Sequence, residues 1–172
     1  VNDPLWTMIS GGVGHSKRWK LDIDANKITK HSDLWAGPLG FWGTDDNWNS
    51  VMLGQEIDGD TWSWIPDIAS NGWVMKAMDH GYMEFDLKDG AHVTVYDAES
   101  GKTMKGTYML DPEKHTITFT DVKLLHNAEH DGVVTNWSSN LSLFGLDNDR
   151  LQIAVLRDNS SEGPCKLCYN FV

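Results

Sequence analysis

The feature that most constrains the fold is a series of short alternating runs between residues 81 and 125. Four runs follow one another, each closed by turn residues: "GYMEFDLKDG", "AHVTVYDAESG", "KTMKGTYMLDPEK" and "HTITFTDVKLL". In the last run Ile117 and Phe119 fall on one face and the intervening threonines on the other, because successive strand side chains point to opposite faces. Period-two alternation interrupted by turns predicts a meander of antiparallel strands.

Further strand patterns stand on both sides of this meander. "KRWKLDI" precedes it, and "NLSLFGL", "RLQIAVLRD" and "KLCYNFV" follow it. No stretch shows a helical period longer than two turns, although "NSVMLGQEI" and "TDVKLLHNAEH" could each form one turn. We therefore expect a single all-β domain over residues 1–172, folded as an antiparallel β-sandwich or jelly roll.

Residues 24–60 have a different character. Gly, Pro, Asn and Asp recur throughout this segment, with Trp between them. Long irregular segments in compact domains are usually functional or disordered, and a high aromatic content argues against disorder. The sequence therefore predicts long, ordered, Trp-rich loops laid over one face or edge of the sandwich.

The net charge of −11 excludes one large class of partners. Nucleic-acid binders gain much of their affinity by neutralising phosphates with Lys and Arg, and this chain has no basic stripe. No apolar run approaches the length of a membrane span. We expect a neutral ligand, no nucleic acid partner, no membrane span, and a monomeric domain of a larger protein.

Tryptophan is the outstanding compositional anomaly. The chain has nine Trp residues, six of them between positions 35 and 73, where usual usage would give about two or three in a whole domain of this size. The C–H face of a pyranose ring stacks on aromatic rings, and its hydroxyls need short polar partners such as Asp and Asn. Trp62 and Trp64 alternate on a short strand, so both rings project from one face.

We expect two or three of the six clustered Trp rings to be buried and two to four to face a ligand. The predicted carbohydrate-binding residues are Trp35, Trp42, Trp48, Trp62, Trp64, Trp73, Asp46, Asn47, Asp60 and Asn71.

An enzymatic alternative rests on "EIDGD", which resembles the catalytic strand of laminarinase-type and lichenase-type glycoside hydrolases. That resemblance implies Glu56 as nucleophile and Asp60 as acid/base. A retaining mechanism needs its carboxyl groups about 5–5.5 Å apart, and Asp60 is one methylene shorter than the family's Glu. Gly59 also favours a turn over a strand. We therefore expect no catalytic residues and keep the hydrolase as the alternative function.

Metal and redox sites have weaker support in the sequence. "DIDAN" and "DGD" offer oxygen ligands, so a structural calcium ion is possible although no cofactor is required. His126 and His130 are spaced by four in "HNAEH", a pair that lacks a third ligand. Cys165 and Cys168 form a C-x-x-C pair at the end of a strand pattern, where packing is a better interpretation than redox chemistry or zinc binding.

Several segments together resemble one protein family. "GGVGHSKRWKLD", "AGPLGFWG", "DDNW" and "LSLFGLDNDRLQIAVLRD" followed by "CYNFV" are similar to β-sandwich modules of Bacteroidota outer-membrane lipoproteins used in polysaccharide utilisation. This chain has Arg18 where those modules have Thr, and Asn49 where many have a second Trp. The resemblance implies a non-catalytic glycan-binding role at the cell surface or outside the cell.

The sequence thus predicts a module that binds a neutral polysaccharide, a β-glucan or a hemicellulose, by Trp stacking and by hydrogen bonds to Asp and Asn.

Overall fold

The computed structural model describes residues 3–24, 37–43 and 62–172. Within these ranges the chain forms ten strands and two short helices, so the predicted all-β fold is confirmed. The helices are α1, Pro4–Ser10, and a 3₁₀ helix, Ala128–Val133. The strands are β1 Ser16–Trp19, β2 Leu39–Trp42, β3 Ser63–Trp64, β4 Gly81–Leu87, β5 Ala91–Asp97, β6 Lys102–Asp111, β7 Thr116–Thr120, β8 Leu141–Leu146, β9 Leu151–Arg157 and β10 Cys165–Phe171.

All ten strands belong to one antiparallel sheet, in the order β1-β4-β5-β6-β7-β8-β9-β10-β2-β3. The join between its two halves is narrow, because β7 and β8 pair through only Thr116 with Ser142 and Ile117 with Leu141. Lys20, which follows the first strand of this order, exchanges two backbone hydrogen bonds of 2.8 Å with Val172, which follows β10. The end of β1 therefore lies beside the end of β10, although six strands separate them in the order, and the sheet curls on itself.

The inner faces of both halves contribute to one hydrophobic core. Met83 and Phe85 of β4 belong to the same buried cluster as Ile153 of β9 and Leu167 of β10. The alternating pattern decides which side chains enter this core, since β4 alternates buried and half-buried residues along its whole length. The arrangement is consistent with a β-sandwich whose two layers are halves of one continuous sheet.

Helix α1 was missed by the sequence analysis, because seven residues are too few to show a helical period. Its ends are nevertheless well specified. The Asp3 side chain caps the first turn by accepting from Leu5 N at 2.9 Å, Pro4 begins the helix, and Gly11 ends it with a φ of 85°. The helix packs against β1, β4 and β8.

Strand β2 corrects the prediction that residues 24–60 are loops throughout. Residues 39–42 pair with β10 on one side and with β3 on the other, and all four are buried. A strand buried on both faces shows no alternation, so the periodic signal that identified the other strands is missing here.

Trp42 of β2 was predicted to bind carbohydrate, and the structure contradicts this. The side chain is 2% exposed and packs edge-on against Phe144, with ring centroids 5.7 Å apart. A sugar ring needs a free aromatic face, which Trp42 does not offer. It belongs instead to a small second core together with Ala154 and Cys168.

The two cysteines are free thiols and both are fully buried in β10. Cys165 lies in the main core and Cys168 in the second core around Trp42. Burial raises the pKa of both thiols, which disfavours the reactive thiolate. Their surroundings agree with a packing role. No helix in the described part of the chain is long and apolar enough to cross a membrane.

Candidate ligand-binding cleft

The pairing of β2 with β3 at one edge of the sheet sets the positions of two exposed tryptophans. Phe41 of β2 lies opposite Trp64 of β3. Gly43 directly follows β2 and Trp62 directly precedes β3, and Gly43 N donates a hydrogen bond to Trp62 O at 2.9 Å. Trp62 and Trp64 line the same cleft.

The indole of Trp62 lies directly over Gly43. A Cβ atom added to Gly43 would be 2.1 Å from Nε1 of Trp62, a distance that no real contact allows. Glycine at position 43 is therefore what lets this ring lie flat against the strand end.

Three aromatic rings form a continuous stack, which we call the aromatic stack: Phe41, Trp64 and Trp73. The centroids of Phe41 and Trp64 are 5.2 Å apart, and those of Trp64 and Trp73 are 5.9 Å apart, with interplanar angles of 30° and 26°. These are offset-stacked geometries of the kind that aromatic pairs favour. Trp73 is the most exposed of the three at 72%, so it has the largest free surface for a ligand.

Trp73 is held in place by a turn built around Asp67. The Asp67 carboxylate accepts from Ser70 Oγ at 2.9 Å, and its backbone carbonyl accepts from Asn71 Nδ2 at 2.9 Å. Val74 N then donates to Asn71 O at 2.9 Å. The predicted sugar-binding residue Asn71 thus uses its amide within the turn that carries Trp73, and it is not among the residues that line the cleft.

The cleft is also lined by polar side chains, which we call its polar side. Glu129 and His130 come from the 3₁₀ helix, Arg157 from the end of β9, and Ser160 and Glu162 from the segment before β10. Together with the aromatic stack they enclose about 350 Å³. The cleft therefore combines aromatic faces with two carboxylates, a guanidinium, an imidazole and a hydroxyl.

Arg157 also fixes this polar side, because its Nε and Nη2 atoms donate to Gly163 O at 3.2 and 2.9 Å. These two hydrogen bonds hold the segment between β9 and β10 close to the cleft. Glu162, the residue before Gly163, belongs to this segment.

A buried hydrogen-bond network supports the 3₁₀ helix from below. Asn127, which is fully buried, donates from Nδ2 to Val74 O at 2.8 Å and accepts from Tyr169 OH at 2.7 Å. Its Nδ2 also lies 2.8 Å from Nδ1 of His130 and 3.1 Å from Oε1 of Glu129. The network joins the core strand β10 to the two cleft residues of the 3₁₀ helix.

Burial lowers the pKa of His130 to about 4. The Glu129 carboxylate opposes this shift by favouring the charged form, whereas the nearby positive charge of Arg157 adds to it. His130 is therefore a neutral imidazole at pH 7.

The remaining predicted site residues lie outside the described residues. They are Trp35, Trp48, Asp46, Asn47 and Asp60, together with Glu56 of the hydrolase alternative. Trp62, Trp64 and Trp73 are the predicted residues that the structure brings together in the cleft.

The sequence analysis missed Phe41, Glu129, Arg157 and Glu162 as cleft residues and considered His130 only as a metal ligand. Nothing in the local sequence marks them, because β2, the 3₁₀ helix and the end of β9 are far apart in the sequence and meet only at the cleft.

His126 and His130 each contact other side chains within the described residues. His126 stacks on Trp137 with centroids 3.5 Å apart and contacts the Asp131 carboxylate at 2.8 Å, while His130 contacts Asn127. Within residues 3–24, 37–43 and 62–172, no group of three or more His, Cys, Asp or Glu side chains could hold a metal ion. The acids of "DGD" lie outside those ranges, so structural calcium stays a prediction.

No protein-family model and no curated protein matches this chain. The resemblance to glycan-binding lipoprotein modules therefore stays a prediction.

Proposed function

We propose that this chain binds a neutral polysaccharide, a β-glucan or a hemicellulose, without hydrolysing it. The observation that carries the proposal is the position of the exposed tryptophans: within the described chain, every exposed Trp (Trp62, Trp64 and Trp73) lines the same cleft. Exposed apolar surface concentrated in one place marks an interaction site. Burying it under a ligand contributes a favourable free energy of about 25 cal/mol per Å² of apolar surface removed from water.

The chemistry of the cleft suits a sugar better than an apolar molecule. A pyranose has apolar C–H faces for Trp73 and a rim of hydroxyls that need both donors and acceptors. Glu129 and Glu162 supply acceptors, and Arg157 supplies donors. A mixed set of one cation and two anions also suits a neutral ligand, because it has no strong preference for either sign of charge.

The same proposal includes an extracellular or outer-membrane location, as a monomeric module of a secreted or lipid-anchored bacterial protein. The resemblance of "SKRWKLD" and of the closing strands to polysaccharide-utilisation modules supports this part. Modules of this kind bind weakly alone, and linkage to further modules raises the overall avidity.

Retardation of the chain in gels that contain laminarin, lichenan, xylan or other neutral polysaccharides tests the proposal. We expect retardation by at least one polysaccharide, reduced in Trp62→Ala and Trp64→Ala. Met109→Ala is the matched control, since Met109 is 67% exposed but lies on β6, outside the cleft. Unretarded wild type across a broad panel would contradict the proposal.

The hydrolase alternative is tested on the same substrates. Release of reducing ends by the wild type that disappears in Glu56→Gln would replace the binding function with glycoside hydrolysis. We expect no release above that of a blank.

A further inference from the structure

Among the described residues, one nitrogen of the buried imidazole in the cleft has no hydrogen-bond partner. His130 is 8% exposed and lines the cleft, and its Nδ1 atom is engaged by Asn127 at 2.8 Å. Within the described part of the chain, no atom forms a hydrogen bond with Nε2 of His130. A buried polar group without a partner destabilises the site, and a ligand atom that bonds to it can remove this cost.

The orientation of the Asn127 amide can be deduced from its neighbours. Val74 O is a backbone carbonyl and can only accept, so the Asn127 atom 2.8 Å from it must be the amide nitrogen. The amide oxygen then faces the hydroxyl of Tyr169, which donates to it at 2.7 Å. A flipped amide would place two acceptors against each other at Val74.

The amide orientation in turn determines where the imidazole proton is. Nδ2 of Asn127 can only donate, so Nδ1 of His130 can form this hydrogen bond only as an acceptor, sharing the second amide hydrogen with Oε1 of Glu129. In a neutral imidazole the other nitrogen then carries the proton. His130 lines the cleft while its Nδ1 atom faces the buried Asn127, which leaves Nε2–H as the polar atom that the ring can offer to the cleft.

We infer that Nε2–H of His130 is the specificity-determining donor of the cleft, and that it binds a free hydroxyl on the edge of a pyranose stacked on the aromatic stack. This inference rests on the proposed function and deepens it. His130 contacts Phe41 edge-on, with centroids 5.7 Å apart, so the donor lies beside the stack. Glu129, the preceding residue, lines the same cleft and presents an acceptor.

A donor and carboxylate acceptors in one cleft define the chemical class of the ligand. A free hydroxyl can accept from Nε2–H of His130 and still donate to a carboxylate that lines the cleft, whereas an ether oxygen can only accept. A pyranose that stacks through its C–H face directs equatorial hydroxyls sideways, towards such groups. The cleft therefore selects neutral sugars with free equatorial hydroxyls, as in gluco- and xylo-configured chains.

Two substitutions at position 130 separate the roles of the two nitrogens. In His130→Asn the amide oxygen can take the place of Nδ1 and keep the contact with Asn127, but no donor replaces Nε2–H. In His130→Gln the longer amide can place a donor near the position of Nε2. Isothermal titration with cellohexaose, laminarihexaose and xylohexaose measures the consequence, and thermal melting of each variant reports its folding.

We expect His130→Asn to weaken the binding of the preferred hexasaccharide about 10-fold, the effect of one lost hydrogen bond. His130→Gln should bind more tightly than His130→Asn. Unchanged affinity in His130→Asn, with Trp73→Ala reduced, overturns the role of His130 and leaves the proposed function standing. No binding of any of the three probes by the wild type overturns the proposed function and the inference together.

A measurement on the wild type covers the case in which the variants do not fold. Nitrogen-15 NMR of the imidazole should show Nδ1 without a proton and Nε2 with one at pH 7. Saturation with the preferred hexasaccharide should shift the Nε2–H proton and slow its exchange with water. A proton on Nδ1, or a signal that the sugar leaves unchanged, overturns the inference.

Discussion

Nδ2 of Asn127 lies 2.8 Å from Nδ1 of His130, and this contact is a hydrogen bond only when Nδ1 carries no proton. A protonated His130 would turn a second donor towards Asn127, so the two groups would repel. The contact therefore acts in the same direction as burial, which lowers the pKa of His130 to about 4.

The first prediction concerns stability at acid pH. The folded chain binds a proton at His130 only near pH 4, whereas the unfolded chain binds it near the ordinary pKa of 6.5. The folded state therefore loses stability as the pH falls from about 6.5 to about 4, by up to about 3 kcal/mol from this residue. Urea denaturation at pH 7, 5.5 and 4 should show the loss, and His130→Asn should flatten it. Equal pH slopes in both proteins would contradict this.

A second prediction concerns the network below the cleft. Asn127→Ala leaves Val74 O and Tyr169 OH without their partner in the interior, so we expect a loss of about 2–4 kcal/mol in the free energy of unfolding. Tyr169→Phe removes a single hydroxyl and should cost about 1–2 kcal/mol.

The double-mutant cycle checks that these residues act through one another. Each single substitution removes the hydrogen bond from Tyr169 OH to Asn127 Oδ1. The double variant should therefore lose less free energy of unfolding than the sum of the two single losses. Strict additivity would mean that the bond contributes nothing to stability.

A third prediction uses two glycines beside the tryptophans. A methyl group at Gly43 would collide with Nε1 of Trp62 at 2.1 Å, whereas one at Gly72, next to Trp73, has nothing within 4 Å. Gly43→Ala should therefore displace Trp62, change the tryptophan fluorescence and weaken polysaccharide binding. Gly72→Ala should leave the position of Trp62, the tryptophan fluorescence and the polysaccharide affinity as in the wild type. Identical behaviour of the two variants would show that Trp62 does not lie over Gly43.

A fourth prediction follows from the buried thiols. Cys165 and Cys168 are both fully buried, and burial raises the pKa of each. A disulfide-exchange reagent such as Ellman's should not react with the native chain within minutes, and should titrate both thiols in guanidinium chloride. Rapid reaction of either thiol in the native chain would contradict the packing role.

The alternating strands could be predicted from the sequence because each has one buried and one solvated face. β4 shows this over its seven residues, with Met83, Phe85 and Leu87 on the buried side. β2 could not be found in the same way, since all four of its residues are buried. Helix α1 was too short to show a helical period in its apolar residues. Its ends are nevertheless marked in the sequence, by Asp3 as N-cap, Pro4 in the first turn and Gly11 as C-cap.

The candidate site could be predicted only in part. Alternation in "TWSW" and the polar neighbours of Trp73 identified three of its aromatic residues. Its polar side depends on the antiparallel pairing of β10 with both β9 and β2, which brings the end of β9 near β2 across long stretches of sequence. The burial of Trp42 likewise depends on Phe144, about a hundred residues away.

The most direct test of the central claim is the affinity of Trp73→Ala for the polysaccharide that the wild type binds. Trp73 is the most exposed ring of the cleft, at 72%. Removing an aromatic stacking partner costs about 1–3 kcal/mol in nucleic-acid sites, so we predict a loss of about 5- to 150-fold in affinity by isothermal titration. Met109→Ala should bind as the wild type does. An unchanged affinity in Trp73→Ala would contradict the account, because the cleft would then not be where the polysaccharide binds.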